Sequence, residues 1–99
     1  ALLGEKVSAD QALSWGLVNR VVEDADLLPT ALEFAGKLAS GPTVALALTR
    51  KIIWDASESD FGAALHNERV AQRTAGRTDD FKEGVGAFLQ KRPAEFKGK

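Results

Sequence analysis

His66 is the chain's single histidine, and Glu68 stands two residues beyond it on what reads as a long helix. An imidazole can move protons near neutral pH. No serine, cysteine or second histidine stands at a spacing that would make His66 the base of a nucleophile or a metal ligand. It is therefore read as a surface or interface residue. Glu68 shares a helical face with Phe61, Ala64, Leu65 and Gln72, where an apolar side chain is expected. A buried carboxylate there can serve as an acid or base, or it can pair with Arg69, Arg73 or a neighbouring helix. With no second convergent group, the structural ion pair is the favoured reading. The remaining chemistry lies at the end of the chain, where Lys91, Arg92, Lys97 and Lys99 stand against Glu95, with Pro93 and Phe96 among them. Such cations can hold a phosphate-bearing ligand, or form a solvated terminus set favourably against a helix C-terminal dipole. There is no phosphate-cradling glycine loop, metal-ligand spacing or nucleophile elbow. The expected catalytic set within these residues is none, and the expected metal set is none.

The elements that must position these groups are helical. Ser8 caps a first helix over Ala9 to Trp15, because its hydroxyl can accept an unpartnered first-turn N–H. Gly16 closes that helix in a left-handed conformation. Leu17 to Val22 is apolar and β-branched and reads as a short extended link. Asp26 is expected to cap the second helix, with Pro29 in its first turn, and Leu27, Ala31, Phe34 and Leu38 form its apolar face. Ser40-Gly41-Pro42 ends it and starts a third helix. Val44, Ala45, Leu48 and Ile52 line that helix's buried side, which Ile53 and Trp54 widen. Ser57 and Asp60 precede the long fourth helix, on which Phe61, Ala64, Leu65 and Ala71 share a face, and Gly76 closes it. Thr78 caps the fifth, whose core stripe is Phe81, Val85, Phe88 and Leu89, and Pro93 ends it. Gly84 and Gly86 weaken that helix, which suggests close approach of a ligand or, more commonly, of a packed neighbour. The fold class is mainly α, about five helices with one short extended link.

Composition narrows the partners. Thirteen basic residues nearly cancel fourteen acidic ones, so no global field attracts nucleic acid or an anionic membrane. The apolar run Val44 to Leu48 is far too short to cross a bilayer. No cysteine is present, which excludes a disulfide framework and fits a cytoplasmic location. There is no methionine either, and Leu2-Leu3-Gly4 opens without a cap or turn. A piece of a longer chain is therefore expected.

Taken in order, these segments resemble the C-terminal region of the enoyl-CoA hydratase/isomerase (crotonase) family. The resemblance rests on Gly4 to Ala9, Ala12, Trp15 to Asn19 and Val21-Val22, then Ala35, Leu38-Ala39, Pro42 and Lys51. It continues through Glu68 and Gln72 and closes on Asp79-Asp80, Glu83-Gly84, Ala87-Phe88, Lys91-Arg92 and Phe96. It implies that residues 1–22 end the spiral core of a crotonase-like α/β fold, and that 23–99 form a helical assembly and lid region. The parent would bind an acyl-CoA thioester and polarise its carbonyl with two backbone N–H groups. Acidic side chains would then move protons as water adds across, or as the double bond shifts. Those groups would lie upstream of Ala1. The implied partners are the acyl-CoA substrate, the rest of the parent chain and neighbouring subunits of a homotrimer or hexamer. No nucleic acid, membrane or cofactor is implied beyond the coenzyme A carried by the substrate. Lys91 would reach a CoA phosphate, while Gln72 and Arg73 stand where an aromatic often meets the adenine. A free-standing helical interaction module without catalysis is the other reading.

Overall fold

The computed structural model describes residues 4–99; the reading of Leu2-Leu3 falls outside them. Five helices follow one another, α1 (Ala9–Ser14), α2 (Asp24–Ala39), α3 (Thr43–Ala56), α4 (Phe61–Ala75) and α5 (Asp79–Gln90). No strand occurs among the described residues, and the link at 17–22 takes neither helix nor strand. The chain divides into two compact units, Ala1–Leu32 and Glu33–Lys99, and the division falls within α2. No described helix is long and apolar enough to cross a membrane.

In the first unit, Ser8 and Gln11 form a reciprocal capping box, each side chain bonding the other's backbone N–H. This satisfies two donors that the first turn leaves orphaned. Gly16 closes α1 at φ 72°. Its N–H bonds the Leu13 carbonyl at 3.0 Å and the Leu17 N–H bonds that of Ala12 at 2.8 Å, the paired closure of a Schellman motif. The second helix starts earlier than its sequence suggests. Asp24, not Asp26, opens it, and both aspartates sit in its first turn, where carboxylates complement the helix dipole. Pro29 consequently lies in the second turn, where it removes one helical hydrogen bond.

The second unit is built on α3 packed against α4. Val44, Ala45, Leu48 and Ile52 are half-buried, as their spacing predicts. Ile53 and Trp54 do not widen that face; each is 68% exposed, because they fall beyond the arc that meets α4. Ala71 is buried where α4 meets α3, beside Ala45, Leu48 and Ile52. Asp60 caps α4 by accepting the Ala63 N–H at 2.9 Å, and Thr78 caps α5 by accepting that of Phe81 at 3.0 Å.

The expected core stripe of α5 is not a core here. Phe81, Val85, Phe88 and Leu89 are all exposed, Phe88 the most at 82%. Leu27, Phe34 and Leu38 on α2 and Phe61 and Leu65 on α4 are exposed as well. Among the described residues only Ala71 and Ala87 are buried apolar side chains. The helices have the amphipathic pattern of packed elements, but nothing in the described chain covers these faces.

Candidate functional site

The basic end of the chain is organised by two carboxylates on α5. Asp80 and Glu83 lie three residues apart, so their side chains project from one face of the helix. The chain reverses after Gln90 and runs back along that face. Arg92 donates to Glu83 through both terminal nitrogens, Nη1 to Oε1 at 2.6 Å and Nη2 to Oε2 at 2.8 Å. Such a fork is geometrically specific in a way a single lysine contact is not. The Arg92 Nε also reaches Gln90 Oε1 at 2.8 Å, and the Glu95 N–H donates to Glu83 Oε1 at 2.9 Å. Arg92 above all, then the Glu95 N–H, pull the Glu83 carboxyl down from 4.5 to about 2, and Glu83 holds the guanidinium above its usual value in turn.

Asp80 fixes the far end of the tail. It is buried, and its two oxygens accept the Lys97 N–H at 2.7 Å and the Gly98 N–H at 2.8 Å. The Asp80 N–H donates to the Lys99 carbonyl at 2.9 Å, so the tail also supplies an acceptor for an orphan donor at the start of α5. Between these anchors the Phe96 ring lies over Gly84, with its edge 3.4 Å from where a Cβ would stand. Packing thus accounts for Gly84. Gly86 meets nothing within 4 Å. Gly98 adopts φ 72°, and a Cβ there would stand 2.6 Å from Thr43 Oγ1, so only glycine fits without rearrangement. Beside the tail runs an open apolar groove of about 380 Å³, lined by Pro42, Ala45, Phe81, Val85, Phe88 and Phe96 among others.

Lys91 stands at the reversal. It is exposed and adopts the left-handed conformation, φ 53° and ψ 38°, the only described non-glycine residue with positive φ. Its N–H bonds the Phe88 carbonyl at 3.2 Å and the Arg92 N–H bonds that of Ala87 at 3.1 Å. A non-glycine residue in this region costs about 1–2 kcal/mol. Its ammonium makes no ion pair among the described residues. The four cations therefore do not act as one cluster. Arg92 is paired with Glu83, while Lys91, Lys97 and Lys99 are exposed and make no ion pair among the described residues; Lys91 is the one that stands directly at the end of α5.

The fourth helix gives a plainer result. Glu68 is exposed and takes no ion pair among the described residues, contrary to the structural pair expected from the sequence. The arc that meets α3 is centred on Ala64 and Ala71 and leaves Glu68 at its margin. His66 is exposed, as expected, and its Nδ1 lies 3.5 Å from Arg69 Nη2. These residues border an open groove of about 660 Å³ with Gly62, Leu65 and Gln72, and no nucleophile or second acid joins them there among the described residues.

The whole chain, residues 1–99, matches the family model described as enoyl-CoA hydratase/isomerase. The chain belongs to the enoyl-CoA hydratase/isomerase family. The 1,2-epoxyphenylacetyl-CoA isomerase of Escherichia coli (strain K12) is 46% identical over 99 residues, 100% of this chain and 38% of that protein. A short-chain-enoyl-CoA hydratase of Clostridium acetobutylicum is 38% identical over 91 residues, 92% of this chain and 35% of that protein. The fold agrees: an enoyl-CoA hydratase structure from Bacillus anthracis superposes with a TM-score of 0.90 at 34% identity, over 99% of this chain and 38% of that one. This family chain thus spans less than two-fifths of the relatives it matches. The helix-rich architecture is that of the corresponding part of a crotonase fold.

Proposed function

We propose that these residues form the C-terminal assembly and lid region of an acyl-CoA enzyme that hydrates or isomerises an enoyl-CoA thioester. In this reading the thioester carbonyl is polarised, and its protons moved, by groups outside residues 1–99. The helices here contact neighbouring subunits of a cytoplasmic trimer or hexamer, cover the acyl pocket, and give Lys91 to a CoA phosphate. No cofactor is required beyond the coenzyme A of the substrate. The observation that carries the reading is the uncovered apolar face of α5, with Phe88 82% and Leu89 74% exposed. Contiguous apolar surface of this kind marks an interaction or ligand-covering face. Family membership supplies the chemistry to which the face belongs.

The experiment has two arms. The purified 99-residue chain is expected to turn over no crotonyl-CoA, and measurable turnover would refute the assignment of catalysis to other residues. In the active enzyme containing this chain, Lys91→Ala is expected to raise KM for a CoA thioester about tenfold with kcat preserved, the size of a charge-assisted contact. Unchanged KM would remove Lys91 from the site.

A further inference from the structure

The helix-ending turn at Lys91 has the same two closing hydrogen bonds as the turn at Gly16. At α1 the position is filled by glycine, the residue the conformation favours; at α5 it is filled by lysine. Strain of this kind persists only where the surroundings over-determine the backbone. The tail after Lys91 supplies those surroundings. Immediately after Lys91 the chain is gripped by the two-pronged Arg92–Glu83 contact, then by the Glu95 N–H on the same carboxylate, and finally by Asp80. Glu83 joins α5 to the tail at Arg92 and Glu95, the tail residues nearest the turn, and Asp80 joins it again further on at Lys97 and Gly98. Glu83 thereby restricts the direction in which the Lys91 stem leaves the helix.

We propose that Glu83 is a positioning residue for the Lys91 contact: by clamping Arg92 and the Glu95 N–H it holds the left-handed turn that aims the Lys91 ammonium at a nucleotide phosphate of the substrate. This rests on the reading of Lys91 given above. Glu83 touches no substrate itself. Removing its charge leaves Arg92 uncompensated, which by charge alone would favour a phosphate, so a weaker phosphate contact in a Glu83 variant reports geometry.

The test compares two substrates in the active enzyme that contains this chain. One is a CoA thioester; the other is the matching pantetheine thioester, which lacks the nucleotide and its phosphates. Glu83→Gln keeps the side chain's size but weakens the fork, and Arg92→Lys keeps the cation but loses the second prong. Both variants are expected to raise KM for the CoA thioester by about threefold or more, with KM for the pantetheine thioester unmoved. In a Lys91→Ala background, Glu83→Gln is expected to add nothing further, since paired residues acting as a unit are non-additive. A role in folding alone would raise both KM values or lower both turnover rates, and that result overturns the proposal. So does a Glu83→Gln enzyme whose CoA KM is unchanged while Lys91→Ala raises it. If Lys91→Ala itself leaves the KM ratio of the two substrates unchanged, the underlying reading of Lys91 fails instead.

Discussion

Gly16 and Lys91 occupy the same position of the same helix-closing motif, one at φ 72° and the other at φ 53°. In both, the residue's own N–H and that of its successor bond back to carbonyls of the last helical turn. The difference is a side chain. A lysine placed where glycine is favoured should cost stability, and the cost is recoverable. Lys91→Gly is expected to raise the unfolding free energy of the chain by about 1 kcal/mol, measured by urea denaturation. A drop in stability would mean that the Lys91 stem is itself a packing element.

Gly98 sets the opposite expectation. Its positive φ and its closeness to Thr43 leave no room for a methyl group. Gly98→Ala is expected to cost about 1–3 kcal/mol and to release the amide protection of Lys97 and Gly98. Combining it with Thr43→Ala should recover the steric part and leave the backbone part. Full recovery would place the whole effect in the contact.

The acid limb of stability should depend on Glu83. Its carboxyl sits at about 2 in the folded chain against an ordinary 4.5. A depressed folded value means that the folded state binds fewer protons than the unfolded state between these limits. The contribution is therefore complete above about 4.5 and is lost as pH falls through the window towards 2. Asp79, drawn down by its hydrogen bond to Lys82, works in the same direction but is largely exposed to solvent. Denaturation midpoints followed from pH 6 to pH 2 should fall less steeply in Glu83→Gln than in the parent chain. Equal slopes would show that the fork does not couple to folding.

Ala87 is 2% exposed and Ala71 is 8% exposed. Enlarging either to leucine is expected to cost about 1–3 kcal/mol by overpacking. On the exposed face of α5, Leu89→Lys should change stability by less than about 0.5 kcal/mol while reducing self-association of the isolated chain in sedimentation. A chain that is monomeric before the substitution would contradict the reading of that face as an interface.

What could be read from the sequence was what local chemistry decides. Ser8 and Thr78 were legible as caps because each bonds an N–H three residues away, whereas Asp60, read only as an acid near the start of α4, is the residue that caps it. Gly16 was legible because helices close on left-handed residues. The α3 face of Val44, Ala45, Leu48 and Ile52 followed from its period. The start of α2 was misplaced by three residues, Leu27 after an Asp26 cap against the observed Asp24, since several acids stand where one cap suffices. Ile53, Trp54 and Glu68 were assigned to buried faces because periodicity gives a direction but not the width of the contacting arc. Asp80 and Glu83 formed part of the family signature but carried no role. Their partners lie nine to eighteen residues further on, a separation at which neither spacing nor propensity speaks. The one local hint was Gly84, a glycine in mid-helix with Phe96 in the tail to fill the space it leaves.

Asp80 grips the tail through the amides of residues 97 and 98, which every residue but proline possesses, and not through their side chains. The instructions for the tail's path are therefore written mostly in α5, while positions such as 94 and 97 are free to drift in sequence. A library randomised at those two positions should keep most of its members folded with the tail in place. One randomised at 80 and 83 should lose them, so α5 with its two acids becomes a portable docking strip for an extended segment that keeps only Arg92, Phe96 and Gly98.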